Sequence, residues 1–338
     1  MPSAAPYDPT GVEYYTIPSF TFTNGTTLPI RVAYRSFNPT APNTILIPTC
    51  FGGHINTTLN FTRTCLSSYH VVVAAMLGNG ESSSPSNTPS LPQPTYTDCV
   101  RAHHALLTAH LRIPRLTAVI GFSMGGQQAY HWAALYPSYL TAGVVAICTS
   151  ARTSPHNWAF LEGPTAALRA SIDYADGGFR AAGVVPVRGL HAFGRAYCAW
   201  AYSAAWFRAR VWESALGFAS VDAFMQAQWE APYEKWDPDD LLALARMWQA
   251  GDLGTTLGEG MQGDYTTALE AIEVPVLVMP CRTDQYFRPE DSEVEMKYLK
   301  KGTLAVIESV WGHVAGGGAN PEDVEWMSER IAEFLKEK

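Results

Sequence analysis

The chain has 338 residues, 47% of them apolar, enough to bury the core of one elaborated α/β domain or of two ordinary domains. A formal net charge of −8 with no Lys/Arg-rich run excludes the basic patch that nucleic acid or an anionic membrane requires, so the expected partner is a small, neutral or mildly polar molecule. Six scattered cysteines without a C-x-x-C pair suggest neither a zinc site nor a disulfide framework, and with no signal segment or bilayer-length apolar run the expected setting is the cytoplasm.

In chain order, Phe20 and Phe22, then Asn24-Gly25, then Leu28, Ile30, Val32 and Tyr34 alternate around a turn dipeptide, which predicts an antiparallel hairpin. Thr44 to Pro48 and Val71 to Leu77 are short unalternating apolar runs, as strands covered on both faces produce. A crossover helix is predicted over Thr97 to Leu111, a strand over Leu116 to Ile120, a helix from Gly125 to Tyr136 and a strand over Ala142 to Cys148. This alternation implies an α/β fold with a mostly parallel sheet and helices on both faces.

From Ala151 to Gly263 the alternation stops, and the segment holds seven of the ten tryptophans. It reads as a helical, aromatic-rich lid at residues 151–263, inserted into a core made of residues 1–150 and 264–338. Alternation resumes with a strand over Val274 to Met279, a helix over Glu290 to Leu299 and a last strand over Leu304 to Ile307. Asn320, Pro321, Glu322 and Asp323 then open a helix whose Val324, Met327, Ile331 and Phe334 share one face.

The strongest local signal is Gly121-Phe122-Ser123-Met124-Gly125-Gly126, set between the strand Leu116 to Ile120 and the following helix. Small residues two before and two after Ser123 permit a tight, strained turn that lifts a serine hydroxyl above a sheet at a helix N-terminus. Such a hydroxyl needs a base, and the base needs an orienting acid. His313 follows the terminal strand in a glycine-rich loop, whereas His103, His104, His110 and His131 fall inside predicted helices. Asp284 stands just past the strand Val274 to Met279, at the sheet edge where an open α/β fold places its site. Oxyanion donors are expected from the backbone N–H groups of Met124 and, in the Gly52-Gly53 loop after Thr44 to Pro48, of Phe51. No metal-ligand spacing or nucleotide fingerprint is present, so neither a metal nor a cofactor is expected beyond acyl-coenzyme A as an alternative co-substrate.

These residues together resemble the homoserine O-acetyltransferase group of the α/β-hydrolase superfamily, along almost the whole chain. Gly121 to Gln128 is similar to its nucleophile elbow, and Leu77-Gly78-Asn79-Gly80 with Ser83, Pro85 and Ser86 to its serine- and glycine-rich loop. Thr283-Asp284 with Phe287, and Gly312-His313, are similar to its acid and base motifs. The resemblance also touches the insertion, where Asn157, Ala159 and Phe160 echo the family and Arg195, Trp158 and Phe160 are candidate substrate contacts. The departures fall where the family recognises homoserine: Gly194 stands where an arginine is expected, with Arg195 one later, and Thr165 stands at a second arginine position. One residue along a helix is a rotation of about 100°. The expected activity is therefore hydrolysis of an ester or thioester of a small, rather apolar molecule through a Ser123 acyl-enzyme. Acyl transfer to an alcohol is the alternative, and a non-catalytic binding protein on the same fold is the reading from another class. A homodimer is compatible with all three.

Overall fold

The computed structural model describes residues 9–256 and 264–336. β1 (Glu13–Thr21) and β2 (Thr27–Phe37) form the predicted antiparallel hairpin, with Gly25 at φ +85° in its turn. β3 (Thr44–Pro48), β4 (His70–Ala74), β5 (Leu116–Phe122), β6 (Leu140–Ile147), β7 (Val276–Met279) and β8 (Gly302–Leu304) complete one sheet in the order β1-β2-β4-β3-β5-β6-β7-β8. β2 pairs antiparallel with β4, and every later pairing is parallel. The residues of β3, β4 and β7 are all buried, the physical reason their sequences are apolar without alternation.

α1 (Tyr96–Ala105) is capped by Thr95 and Asp98, each accepting from the other's backbone N–H, and runs on into a wider π-type turn over Leu106–His110. α2 (Met124–Leu135) is buried on nearly every side beneath the sheet edge, which suits its apolar composition. Among the described residues of 151–256 no strand joins the sheet. Its longer helices are α3 (Pro155–Arg169), α4 (Val187–Ala201) and α5 (Pro238–Gln249). The expected end of this segment, residue 263, lies outside the described residues. α6 (Pro289–Glu295) and α7 (Pro321–Lys336) belong to the returning core, and Met327, Ile331, Phe334 and Leu335 form the buried stripe of α7.

Several predicted boundaries move, among them the end of the helix predicted to Leu299, which stops at Glu295. β8 spans Gly302–Leu304, because the chain beyond it keeps only the isolated Cys281–Ile307 bridge and the N–H bonds of Ala305 and Ile307 to Val278 and Pro280. β4 stops at Ala74 because the Met76 N–H turns to the Thr49 hydroxyl, 3.0 Å away, rather than to a neighbouring strand. No helix among the described residues is long and apolar enough to cross a membrane.

Candidate active site

The β5-to-α2 turn holds Ser123 at φ 56°, ψ −126°, a conformation that costs a non-glycine residue roughly 1–3 kcal/mol. The surroundings over-determine it. The Ser123 N–H donates to the Ile147 carbonyl at 2.9 Å, and the Ser123 carbonyl accepts from Thr149 Oγ1 at 2.7 Å and from the Gly126 N–H at 2.8 Å. The flanking glycines are steric necessities: a Cβ at Gly121 would lie 2.0 Å from the Gly125 carbonyl oxygen, one at Gly125 2.7 Å from that of Pro48, and one at Gly126 2.4 Å from the Thr149 methyl.

His313 sits in the short turn Gly312–Ala315, and its Nδ1 lies 2.7 Å from Asp284 Oδ2. Asp284 is wholly buried, and its other oxygen accepts the N–H groups of Tyr286 and Phe287, each at 3.1 Å. A carboxylate fixed in this way accepts a hydrogen bond from the Nδ1–H, holds the imidazole proton on that nitrogen and leaves the Nε2 lone pair for another group. Phe122, Tyr286 and Phe287 pack on the ring with centroids 4.6, 4.3 and 5.6 Å away and hold its plane. Gly312, at φ +66°, is needed here because a Cβ would stand 2.8 Å from the Ala201 carbonyl oxygen.

Ser123 and His313 open together into a cavity of about 520 Å³. The core supplies Phe51, Gly52 and Gly53 as further wall, and the insertion supplies Tyr197, Trp229 and Tyr233. Among the described residues, no Asp, Glu, Lys or Arg lines it. The N–H groups of Phe51 and Met124 have no protein acceptor among the described residues, so both are available to a bound oxygen. Burial pushes the Cys50 thiol, which also lines the cavity, up to about 12, so it is a packing thiol rather than a thiolate. Cys148, beside Asp284 and His313, is likewise raised well above the ordinary range, by burial first and by the Asp284 charge second.

None of the three candidate substrate contacts lines the cavity. Arg195 points away from the cavity and is ion-paired with Glu230 and, at 2.8 Å, with Asp222 on the outer surface. Trp158 is 48% exposed and lines no part of the cavity. Phe160 is buried one layer behind the wall, its ring stacked on Tyr286 with centroids 4.9 Å apart and planes 3° apart. The aromatic residues that do face the cavity were not separable in sequence from those that pack. Of the aromatic wall residues outside the elbow and the Phe51 loop, Tyr286 carried a signal, standing two residues past Asp284.

The chain matches the α/β-hydrolase fold family over residues 43–316. It belongs to that family. It is 31% identical over 316 residues to ethyl acetate hydrolase of Pseudomonas veronii, covering 89% of this chain and 88% of that one. Homoserine O-acetyltransferase of Chloroherpeton thalassium is 28% identical, over 86% of this chain and 80% of its own. The solved structure of the acetyl esterase MekB superposes with a TM-score of 0.88 at 29% identity over 96% of both chains. This α/β-hydrolase is thus an enzyme with relatives among both esterases and acyltransferases, as the sequence motifs implied.

Proposed function

We propose that this α/β-hydrolase cleaves uncharged esters of short acyl chains by way of an acyl group on Ser123. The observation that carries the proposal is that, among the described residues, no Asp, Glu, Lys or Arg stands in the wall of the cavity shared by Ser123 and His313. A charged substrate group would lose its hydration there without gaining a partner. In the proposed reaction Ser123 Oγ attacks the ester carbon while His313 Nε2 takes its proton, and the developing oxyanion is met by the Phe51 and Met124 N–H groups. The alkoxide leaves with the proton from His313. Water, deprotonated by the same imidazole, then releases the carboxylic acid. The reaction as proposed uses no cofactor. The similarity to ethyl acetate hydrolase and to an acetyl esterase supports a small acyl group. All six cysteines are free thiols, which supports a reducing, cytoplasmic setting.

The test is partitioning of the acetyl-enzyme, formed from an aryl acetate, between water and millimolar homoserine. Free acetate is the expected product. Homoserine offers a carboxylate and an ammonium group, and the arginine nearest the family's position, Arg195, is engaged by Glu230 and Asp222 outside the cavity. Predominant O-acetylhomoserine would overturn the hydrolase reading in favour of acyl transfer.

A further inference from the structure

The serine- and glycine-rich loop after β4 has no part in the chemistry above, yet it is among the most heavily hydrogen-bonded polar segments of the molecule. Two of its serines, Ser82 and Ser83, are fastened to β2. Ser83 exchanges bonds with Arg31, N–H to carbonyl at 2.8 Å and Arg31 N–H to Ser83 Oγ at 2.9 Å. Ser82 Oγ accepts the Ala33 N–H at 3.0 Å and donates to the Ala75 carbonyl at 2.8 Å. From this anchored base two side chains reach across to the loop after β3. Glu81 Oε2 accepts the Ile55 N–H at 2.8 Å and the Asn79 Nδ2 at 3.1 Å. Asn79 Nδ2 also approaches the Gly53 carbonyl at 3.5 Å, while Asn79 Oδ1 accepts the N–H groups of Glu81 and Ser82 at 3.1 and 3.2 Å. Asn79 is fully buried and Glu81 nearly so.

The segment gripped in this way is the shoulder of the tight turn Cys50–Gly53, closed by the Gly53 N–H on the Cys50 carbonyl at 3.1 Å. Phe51 lies in that turn, followed by Gly52 at φ +65°. Among the described residues the N–H of Phe51 finds no acceptor that would fix its own direction. Its aim depends on what holds the turn. On the N-terminal side this is β3, through the Thr49 N–H on the Ala74 carbonyl at 3.0 Å, and on the C-terminal side it is Asn79 and Glu81.

We propose that Asn79 and Glu81 are positioning residues that set the direction of the Phe51 N–H toward the substrate oxyanion, an inference that rests on the esterase reading above. Stabilisation by such a donor acts in the transition state and depends steeply on its placement. Loss of the grip should therefore lower kcat and spare KM.

The experiment measures kcat and KM for an aryl acetate, and the affinity of an aryl trifluoromethyl ketone whose serine adduct carries an oxyanion, in Asn79→Ala, Glu81→Ala and Glu81→Gln. In the two alanine variants we expect kcat to fall about 10- to 100-fold, KM to change less than about threefold, and inhibitor affinity to fall in parallel with kcat. Glu81→Gln keeps an acceptor for the Ile55 N–H and should recover most of the loss. Should Glu81→Ala not fold, Glu81→Asp, which keeps the carboxyl group but falls one methylene short of Ile55, carries the same expectation. A kcat within twofold of the parent, or a lower kcat with unchanged inhibitor affinity, overturns the positioning role. Ser123→Ala separates the two readings: activity that survives it defeats the esterase proposal and this one with it, whereas activity lost in Ser123→Ala but unaffected at residues 79 and 81 defeats this one alone.

Discussion

Asp284 illustrates how much of the proposed chemistry rests on one oxygen. Its Oδ1 is held by two backbone N–H groups and only Oδ2 faces His313. In Asp284→Asn the amide oxygen can keep the backbone bonds, but its nitrogen then donates toward Nδ1 and drives the imidazole proton to Nε2, the atom that must accept from Ser123. We expect kcat to fall by roughly 10³- to 10⁴-fold in Asp284→Asn, and at least as far in His313→Ala, with circular dichroism unchanged. Serine-directed fluorophosphonate should label the parent once, at Ser123, and the Asp284→Asn protein far more slowly. Near-parental turnover in His313→Ala would mean that another base serves the serine.

Elements of the core and of the insertion meet at a single carboxylate. Glu295, at the end of α6, is fully buried, and its Oε1 accepts both the Ala151 N–H at 2.6 Å, where the chain leaves β6, and the Tyr265 hydroxyl at 2.9 Å, where it returns. Its Oε2 accepts the Tyr130 hydroxyl of α2 at 2.7 Å. The Arg152 guanidinium covers the Tyr265 ring at 4.2 Å, and Asp291 adds like charge nearby. Burial outweighs the three donors and pushes the Glu295 carboxyl up to about 7 from its ordinary 4.5. Asp240 of α5, held by the Ser86 N–H and hydroxyl at 2.9 and 2.6 Å, is pushed up to about 7 by burial as well. A raised acid binds its proton more tightly folded than unfolded, so its stabilisation is complete below the unfolded value and is lost as pH rises through the folded one. Stability should therefore decline between about pH 4.5 and 7 and level off above that. Glu295→Gln should flatten that decline, read as the difference in Tm between the two proteins at pH 5 and at pH 8. A parallel pH dependence in both would remove Glu295 as its source.

At the scale of the whole molecule, the cavity has two makers. The sheet's C-terminal edge provides Phe51, Ser123 and His313, and the inserted helices roof it with Tyr197, Trp229 and Tyr233. Chemistry and substrate size are therefore set by different parts of the chain, and they should separate by mutation. Trp229→Ala removes a large ring from the roof and touches nothing at the serine. We expect the kcat/KM ratio of an aryl hexanoate to an aryl acetate to rise about tenfold or more, since each buried methylene is worth on the order of 1 kcal/mol. An unchanged ratio would place that side chain outside the path of the substrate.

What the sequence determined by itself was whatever depends on neighbours along the chain. The Asn24-Gly25 turn, the unalternating β3 and β4, and the elbow from Gly121 to Gly126 were legible because strand period, turn residues and glycine sterics are local properties. Asp284 and His313 were legible for a related reason, each following a core strand that ends at the same edge. The tertiary structure alone decided which aromatic residues of the insertion are wall and which are packing, because Trp229 and Trp248 look alike in sequence and only their helices' placement turns one toward the cavity. The same holds for Arg195. Its charge suggested a substrate contact, but the acids that claim it, Asp222 and Glu230, lie 27 and 35 residues away and reach it only once the helices have packed.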